Sequence, residues 1–302
     1  MRRTTPIALL FTLLTVASCA ESSGGELNSQ GIPGTLRVGV IPNEAPDEQR
    51  ARYAPLAEYL GQKLQTEVEL FVASDYAGVI SALAADKVDI AYVGGLTYAQ
   101  ALEQTDVEPL VSEVDQETGT QEYLSAIVVR DDSPHQTTEE IVEAGETFAF
   151  GDVGSTSGSL YPRMMLNDAG ANCSAEEITD CSPLERVSFT GGHDATAQAV
   201  ANGSAGAGGL ELRILHRLEE EGHIPEGELR VVEERPVMGY LWVMRSGLGD
   251  EAADSVRETF ESLEDPELLD LMQTSEYRPV DPSDYDEIKE SAEELGLTRA
   301  DL

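Results

Sequence analysis

The chain has 302 residues, with 57 Asp and Glu against 19 Lys and Arg, a formal net charge of −38. That balance excludes binding to nucleic acid or to anionic lipid headgroups, both of which need a cationic face. With 41% hydrophobic residues the chain can build one large or two mid-sized cores. Acidic runs such as Glu219-Glu220-Glu221 and 287–294 read as solvated helix surface, screened beyond about 8 Å.

The first residues set the compartment. Arg2 and Arg3 precede an apolar run from Ile7 to Val16, long enough for a secretory leader and too short to span a bilayer as a helix of roughly 20 residues. The run ends in Val16-Ala17-Ser18-Cys19, which resembles the lipobox of bacterial lipoproteins. A leader over 1–18, a lipidated Cys19 and a flexible Ser- and Gly-rich tether through 35 are therefore expected, with the mature chain outside the cytoplasm and anchored to the cell membrane. Of the three cysteines, Cys173 and Cys181 remain as a local pair. In an exported chain such a pair forms a disulfide; a metal site is the rival, but no His or further Cys is near in sequence.

From Thr35 short β-rich runs alternate with helical segments, the pattern of an α/β fold. Strands are expected at 36–41, 68–72, 88–93 and 123–129, with helices at 52–64, 76–85 and 98–103 between them. A second cycle has strands at 148–151, 186–189, 205–210, 229–233 and 240–245, and helices after Ser155 and from Asp194 to Ala201. Beyond Gly247 the pattern turns mainly helical. Two such cycles predict two lobes, 36–129 and 130–234, with 235–302 returning to the first lobe as C-terminal helices. The crossings then fall near Val129-Arg130 and near Glu233–Val237, and hinged lobes of this kind trap solutes by closing. A single doubly wound domain is the alternative.

Two turns carry chemistry. Ser155-Thr156-Ser157-Gly158 lies between a strand and a helix, where unpaired N–H groups, three hydroxyls and a close-approach glycine suit a tetrahedral oxyanion. A plain helix cap explains the same residues. Gly191-Gly192-His193-Asp194 opens the next helix, with Asp194 expected as N-cap and His193 able to donate from a ring nitrogen.

Order and spacing add more. Ser74-Asp75-Tyr76-Ala77-Gly78, Lys87-Val88-Asp89-Ile90-Ala91-Tyr92, Ser155-Thr156-Ser157-Gly158 and Gly192-His193-Asp194 follow one another in a series that resembles the phosphate/phosphite/phosphonate-binding proteins of ABC importers, over roughly Leu36 to Leu271. The resemblance implies a two-lobed, type II periplasmic-binding-protein fold with the ligand in the cleft. It implies that Ser155, Thr156 and Ser157 grip a phosphorus oxyanion, with Tyr76, Tyr123 and His193 as further contacts. The implied partners are the ABC permease and its ATPase, for a monomeric binding protein with no cofactor, metal or catalytic residue. Family members that take aminoalkylphosphonates hold the ammonium with two acidic side chains. The matching positions here fall near Arg213 and Tyr240, with Glu211 two residues away, so a ligand without an amine is favoured. A ligand-sensing lipoprotein of the same fold is one alternative. A hydrolase using Ser155 or Ser157 with His193 and Asp194 is another, but no Gly-x-Ser-x-Gly elbow, His-x-x-x-His pair or Walker motif accompanies it.

Overall fold

A computed structural model describes residues 27–299; the leader and Cys19 lie outside the described residues. In chain order the first lobe opens with β1 (Thr35–Val40), α1 (Pro46–Leu64), β2 (Glu67–Val72), α2 (Tyr76–Ala84), β3 (Ile90–Val93), α3 (Gly95–Leu102) and β4 (Val107–Asp115). The second lobe comprises β5 (Glu122–Arg130), α4 (Thr138–Ala144), β6 (Thr147–Phe150), a π-helical turn (Thr156–Leu160), α5 (Tyr161–Asp168), the short β7 (Asn172–Cys173) and β8 (Cys181–Ser182), β9 (Arg186–Phe189), α6 (His193–Ala201), β10 (Ala207–Glu211), α7 (Leu212–Glu220) and β11 (Leu229–Met238). The chain then returns through β12 (Leu241–Arg245), α8 (Asp250–Glu261), α9 (Pro266–Leu271), β13 (Thr274–Pro279) and α10 (Asp286–Glu294).

The strands form two main sheets, ordered β13-β4-β12-β3-β1-β2 and β11-β5-β10-β6-β9. In the first, β1 runs parallel to β2 and β3; in the second, β6 runs parallel to β9 and β10. Val38, Val40, Ile90 and Val93 are buried on these strands, as β-branched residues on covered sheets should be. On the second lobe, Leu215 and Leu218 of α7 pack with Val128 and Leu210 in one apolar cluster.

The lobe boundaries differ from the sequence expectation. The strand holding Tyr123 to Val129 pairs antiparallel with β10 and β11, so it opens the second lobe instead of closing the first. The crossings therefore lie at 116–121 and 239–240, not at Val129-Arg130 and Glu233–Val237. The C-terminal part is not only helical, because Thr274–Pro279 pairs with β4 at the sheet edge. Cys173 and Cys181 are joined in a disulfide at the far end of α5. Among the described residues no helix is long and apolar enough to cross a membrane.

Candidate functional site

In open α/β sheets the carboxyl ends of parallel strands converge on a crevice. Here five such ends do so: Asn43 follows β1, Tyr76 follows β2, Gly94 follows β3, Ser155 follows β6 and His193 follows β9. Tyr123 joins them because β5 runs the opposite way and begins at that edge. Tyr240 stands in the return crossing, its ring stacked on Tyr123 at 5.0 Å.

All six side chains expected at the site are buried, but their polar atoms are used differently. Ser155 Oγ caps its own turn, accepting from the Gly158 N–H at 3.0 Å. Thr156 Oγ1 accepts from the Leu96 N–H of the opposite lobe at 3.0 Å. The Tyr76 hydroxyl donates to Asn43 Oδ1 at 2.5 Å. By contrast Ser157 Oγ, Tyr123 Oη and His193 Nε2 are buried and make no hydrogen bond to the protein, and Ser159 Oγ of the same turn shares that property. Buried polar groups are nearly always paired, so these orphans, three of them on residues expected at the site, mark a place for a ligand's acceptors.

The turn is built to leave its main chain available. Its i→i+5 bonds run from the Leu160 N–H to Ser155 O and from the Tyr161 N–H to Thr156 O, so the N–H groups of Thr156 and Ser157 precede the first donor of that ladder. The Ser157 carbonyl is held by Ser125 Oγ at 2.9 Å, which fixes the peptide plane. A Cβ at position 158 would stand 3.1 Å from His193 Cε1, so only glycine lets the imidazole lie against the turn. The helix after β9 begins one residue earlier than expected. Gly192, not Asp194, is the N-cap, and Asp194 Oδ2 instead accepts from the Ala45 N–H across the lobes at 3.3 Å. Asp194 is drawn away because β1's end approaches this turn, with the His193 N–H donating to Asn43 O at 2.8 Å.

Further contacts hold the lobes together around the crevice. Thr97 Oγ1 donates to Gly154 O at 3.0 Å, and Asp152 Oδ2 accepts from the Tyr76 N–H at 3.4 Å. Burial lowers the pKa of His193, the nearby carboxylates opposing it only in part, so the ring is neutral. Burial likewise raises Tyr123 and Tyr76, which keeps both hydroxyls protonated as donors. Burial would also raise Glu211, but the Arg213 guanidinium beside it holds its carboxyl below the ordinary value. The crevice thus presents neutral donors, with the Glu211 carboxylate beside them already paired to Arg213.

The sequence profile of the family described as ABC transporter, phosphonate, periplasmic substrate-binding protein matches residues 38–285. The chain belongs to this family. It is 31% identical over 256 residues to the phosphate-import protein PhnD of Mycolicibacterium smegmatis, spanning 84% of this chain and 79% of that one. It is 28% identical over 254 residues to the phosphonates-binding periplasmic protein of Escherichia coli, covering 83% and 70%. Among solved structures, a binding component of an ABC phosphonate transporter from Pseudomonas aeruginosa superposes with a TM-score of 0.76 at 26% identity, covering 88% and 87%. PhnD1 of Prochlorococcus marinus, in complex with methylphosphonate, shares the fold with a TM-score of 0.74 at 23% identity, covering 87% and 99%.

As a member of the phosphonate-type binding proteins, the chain is a substrate-binding component of an ABC transporter and not an enzyme, and it acts outside the cytoplasm. The crevice brings together all six residues that the sequence singled out. It adds Asn43 and Ser159, which sequence reasoning missed, and it holds Tyr240, Arg213 and Glu211, which the sequence had set at or beside the family's ammonium positions, with Glu211 and Arg213 as an ion pair. The Glu211 carboxylate pairs with Arg213 and accepts from the Tyr240 hydroxyl at 2.6 Å.

Proposed function

We propose that this protein is a lipid-anchored extracytoplasmic receptor that captures a small, amine-free phosphorus oxyanion and delivers it to the permease of its transporter. The observation that carries this reading is the set of buried, unpartnered polar atoms of Ser157, Tyr123 and His193 beside the free N–H groups of the Thr156 turn. Neutral donors in a water-poor crevice hold an oxyanion well, because their dipoles need no reorganisation. Separating the lobes withdraws the Tyr76 side from the Ser157 side, so release stays possible. An amine-free ligand is supported by Glu211, whose carboxylate pairs with Arg213 and accepts from the Tyr240 hydroxyl. Named relatives import phosphate or bind phosphonates, which is the same oxyanion chemistry. The anchor rests on the run from Arg2 to Cys19.

Calorimetry against phosphate, phosphite, methylphosphonate and 2-aminoethylphosphonate tests the proposal. At least one of the first three should bind more tightly than the aminoalkyl compound. Ser157→Ala and His193→Ala should each weaken that binding by about 1–3 kcal/mol, the cost of leaving buried polar groups short of partners. Unchanged affinity in both variants would place the site elsewhere, and preference for the aminoalkyl compound would overturn the ligand class.

A further inference from the structure

Arg213 contributes no donor to the crevice, yet it touches most of what holds the donors. Its guanidinium pairs with Glu211 in its own lobe and reaches across to Glu113 and to Asp115 Oδ2, the latter at 3.2 Å. Glu113 and Asp115 end β4 in the first lobe, while Glu211 and Arg213 stand at the β10–α7 junction of the second. All four side chains are buried. The same guanidinium lies over the rings of Tyr123 and Tyr240, at 5.7 and 5.5 Å.

From Glu211 two links run into the crevice. Its N–H donates to His193 Nδ1 at 3.2 Å, and its Oε2 accepts from the Tyr240 hydroxyl at 2.6 Å. An Nδ1 that accepts leaves the neutral ring's proton on Nε2, the atom with no protein partner. The Tyr240 ring in turn packs on Tyr123, whose hydroxyl is another of the unpartnered donors. The chain of contacts therefore ends on two of the three groups that face the ligand.

We propose that Arg213 is a positioning residue that couples closure of the lobes to assembly of the anion site. With the lobes shut, Glu113 and Asp115 hold the guanidinium against Glu211. Glu211 then fixes the His193 tautomer and, through Tyr240, the place of Tyr123. A buried ion cluster is by itself a weak source of stability, since apolar replacements of similar volume are often neutral. Position is what this cluster supplies. A lysine could not reproduce it, because only the planar guanidinium offers donors to three carboxylates and a flat face to two rings at once. The inference rests on the anion-site reading above.

The test combines calorimetry with methylphosphonate and with phosphate, and ¹⁵N NMR of labelled histidine. Arg213→Gln should still unfold cooperatively but bind whichever anion the wild type binds about tenfold or more weakly, and Arg213→Lys should recover only part of that loss. The double variant His193→Ala with Arg213→Gln should lose much less than the product of the two single losses, as groups acting as one unit do. In Arg213→Gln the His193 signals should move from a single Nε2–H pattern towards averaged tautomers. Glu113→Gln, which keeps the volume and removes the anchor of the first lobe, should weaken binding in the same direction and serves if Arg213→Gln does not fold. Full recovery by lysine, or multiplicative losses in the double variant, would overturn the proposal. So would an unchanged affinity in Arg213→Gln or Glu113→Gln while Ser157→Ala loses binding. If Ser157→Ala also binds normally, it is the anion-site reading itself that falls, and the coupling with it.

Discussion

Three hydroxyls in a row do three different things in the turn after β6. Ser155 caps, Thr156 clasps the opposite lobe, and Ser157 is left free. The sequence could locate the trio, because Ser and Thr before a helix signal a turn with open N–H groups. It could not divide the roles, which depend on Leu96, some 60 residues away, and on Ser125 beneath the peptide. Burial adds a pH signature at the same scale. Lowering of His193 keeps the folded ring neutral while the unfolded ring protonates below about 6.5, so this group makes stability fall as pH is lowered from that value. Glu113 acts in the opposite sense. Burial raises it to about 7, against an ordinary 4.5, so the folded state keeps a proton that the unfolded state has shed. Its contribution is full below about 4.5 and is lost as pH rises through about 7. Thermal unfolding between pH 4.5 and 7.5 should therefore show a steeper loss towards low pH in Glu113→Gln than in the wild type, and a shallower loss in His193→Gln. Equal slopes in all three proteins would mean that neither group is held as its surroundings imply.

Most elements were readable where a single face is apolar and local signals punctuate it. The runs around Val38, Val68 and Phe148 were found for that reason, as was the helix carrying Leu56, Leu60 and Leu64. β4 was missed because Glu108, Pro109, Glu113 and Asp115 interrupt its alternation, and β13 because a short polar edge strand has little pattern to show. The strand from Glu122 to Arg130 was recognised but given to the wrong lobe, since only its pairing with β10 and β11 decides that. The same limit hid the pairing of Arg213 with Glu113, 100 residues distant. Element packing also yields a test of closure. Gly94 caps α3 at a φ of −83°, which alanine adopts freely, but an added Cβ would meet Thr156 Oγ1 of the other lobe at 2.8 Å. Turning the threonine aside would break its bond from the Leu96 N–H. Gly94→Ala should thus leave the melting temperature of the free protein nearly unchanged while weakening anion binding by about 1–2 kcal/mol, comparable to one lost buried hydrogen bond plus strain. An affinity equal to the wild type's would show that the two lobes do not need this close approach to hold the ligand.

At the scale of the whole molecule, an acidic body is asked to capture an anion. The charge of −38 includes exposed acidic helices such as α8 and α10, whose first turns carry Asp250, Glu251, Asp286 and Glu287. The field of such a surface reaches about 30 Å at 0.01 M salt and about 8 Å at 0.15 M. It opposes the ligand's approach without reaching the closed crevice, where Glu211 is paired and the donors are neutral. Binding strength and encounter rate are thereby set by separate parts of the structure. Stopped-flow measurement of the intrinsic tyrosine emission, which Tyr76, Tyr123 and Tyr240 place at the crevice, separates them. Between 10 and 150 mM NaCl the association rate should rise by about two- to fivefold, the reverse of attractive steering, while the dissociation rate stays nearly constant. An association rate that falls with salt would mean that Arg52 and Arg217, which line the groove between the lobes, outweigh the surrounding acid and draw the anion in.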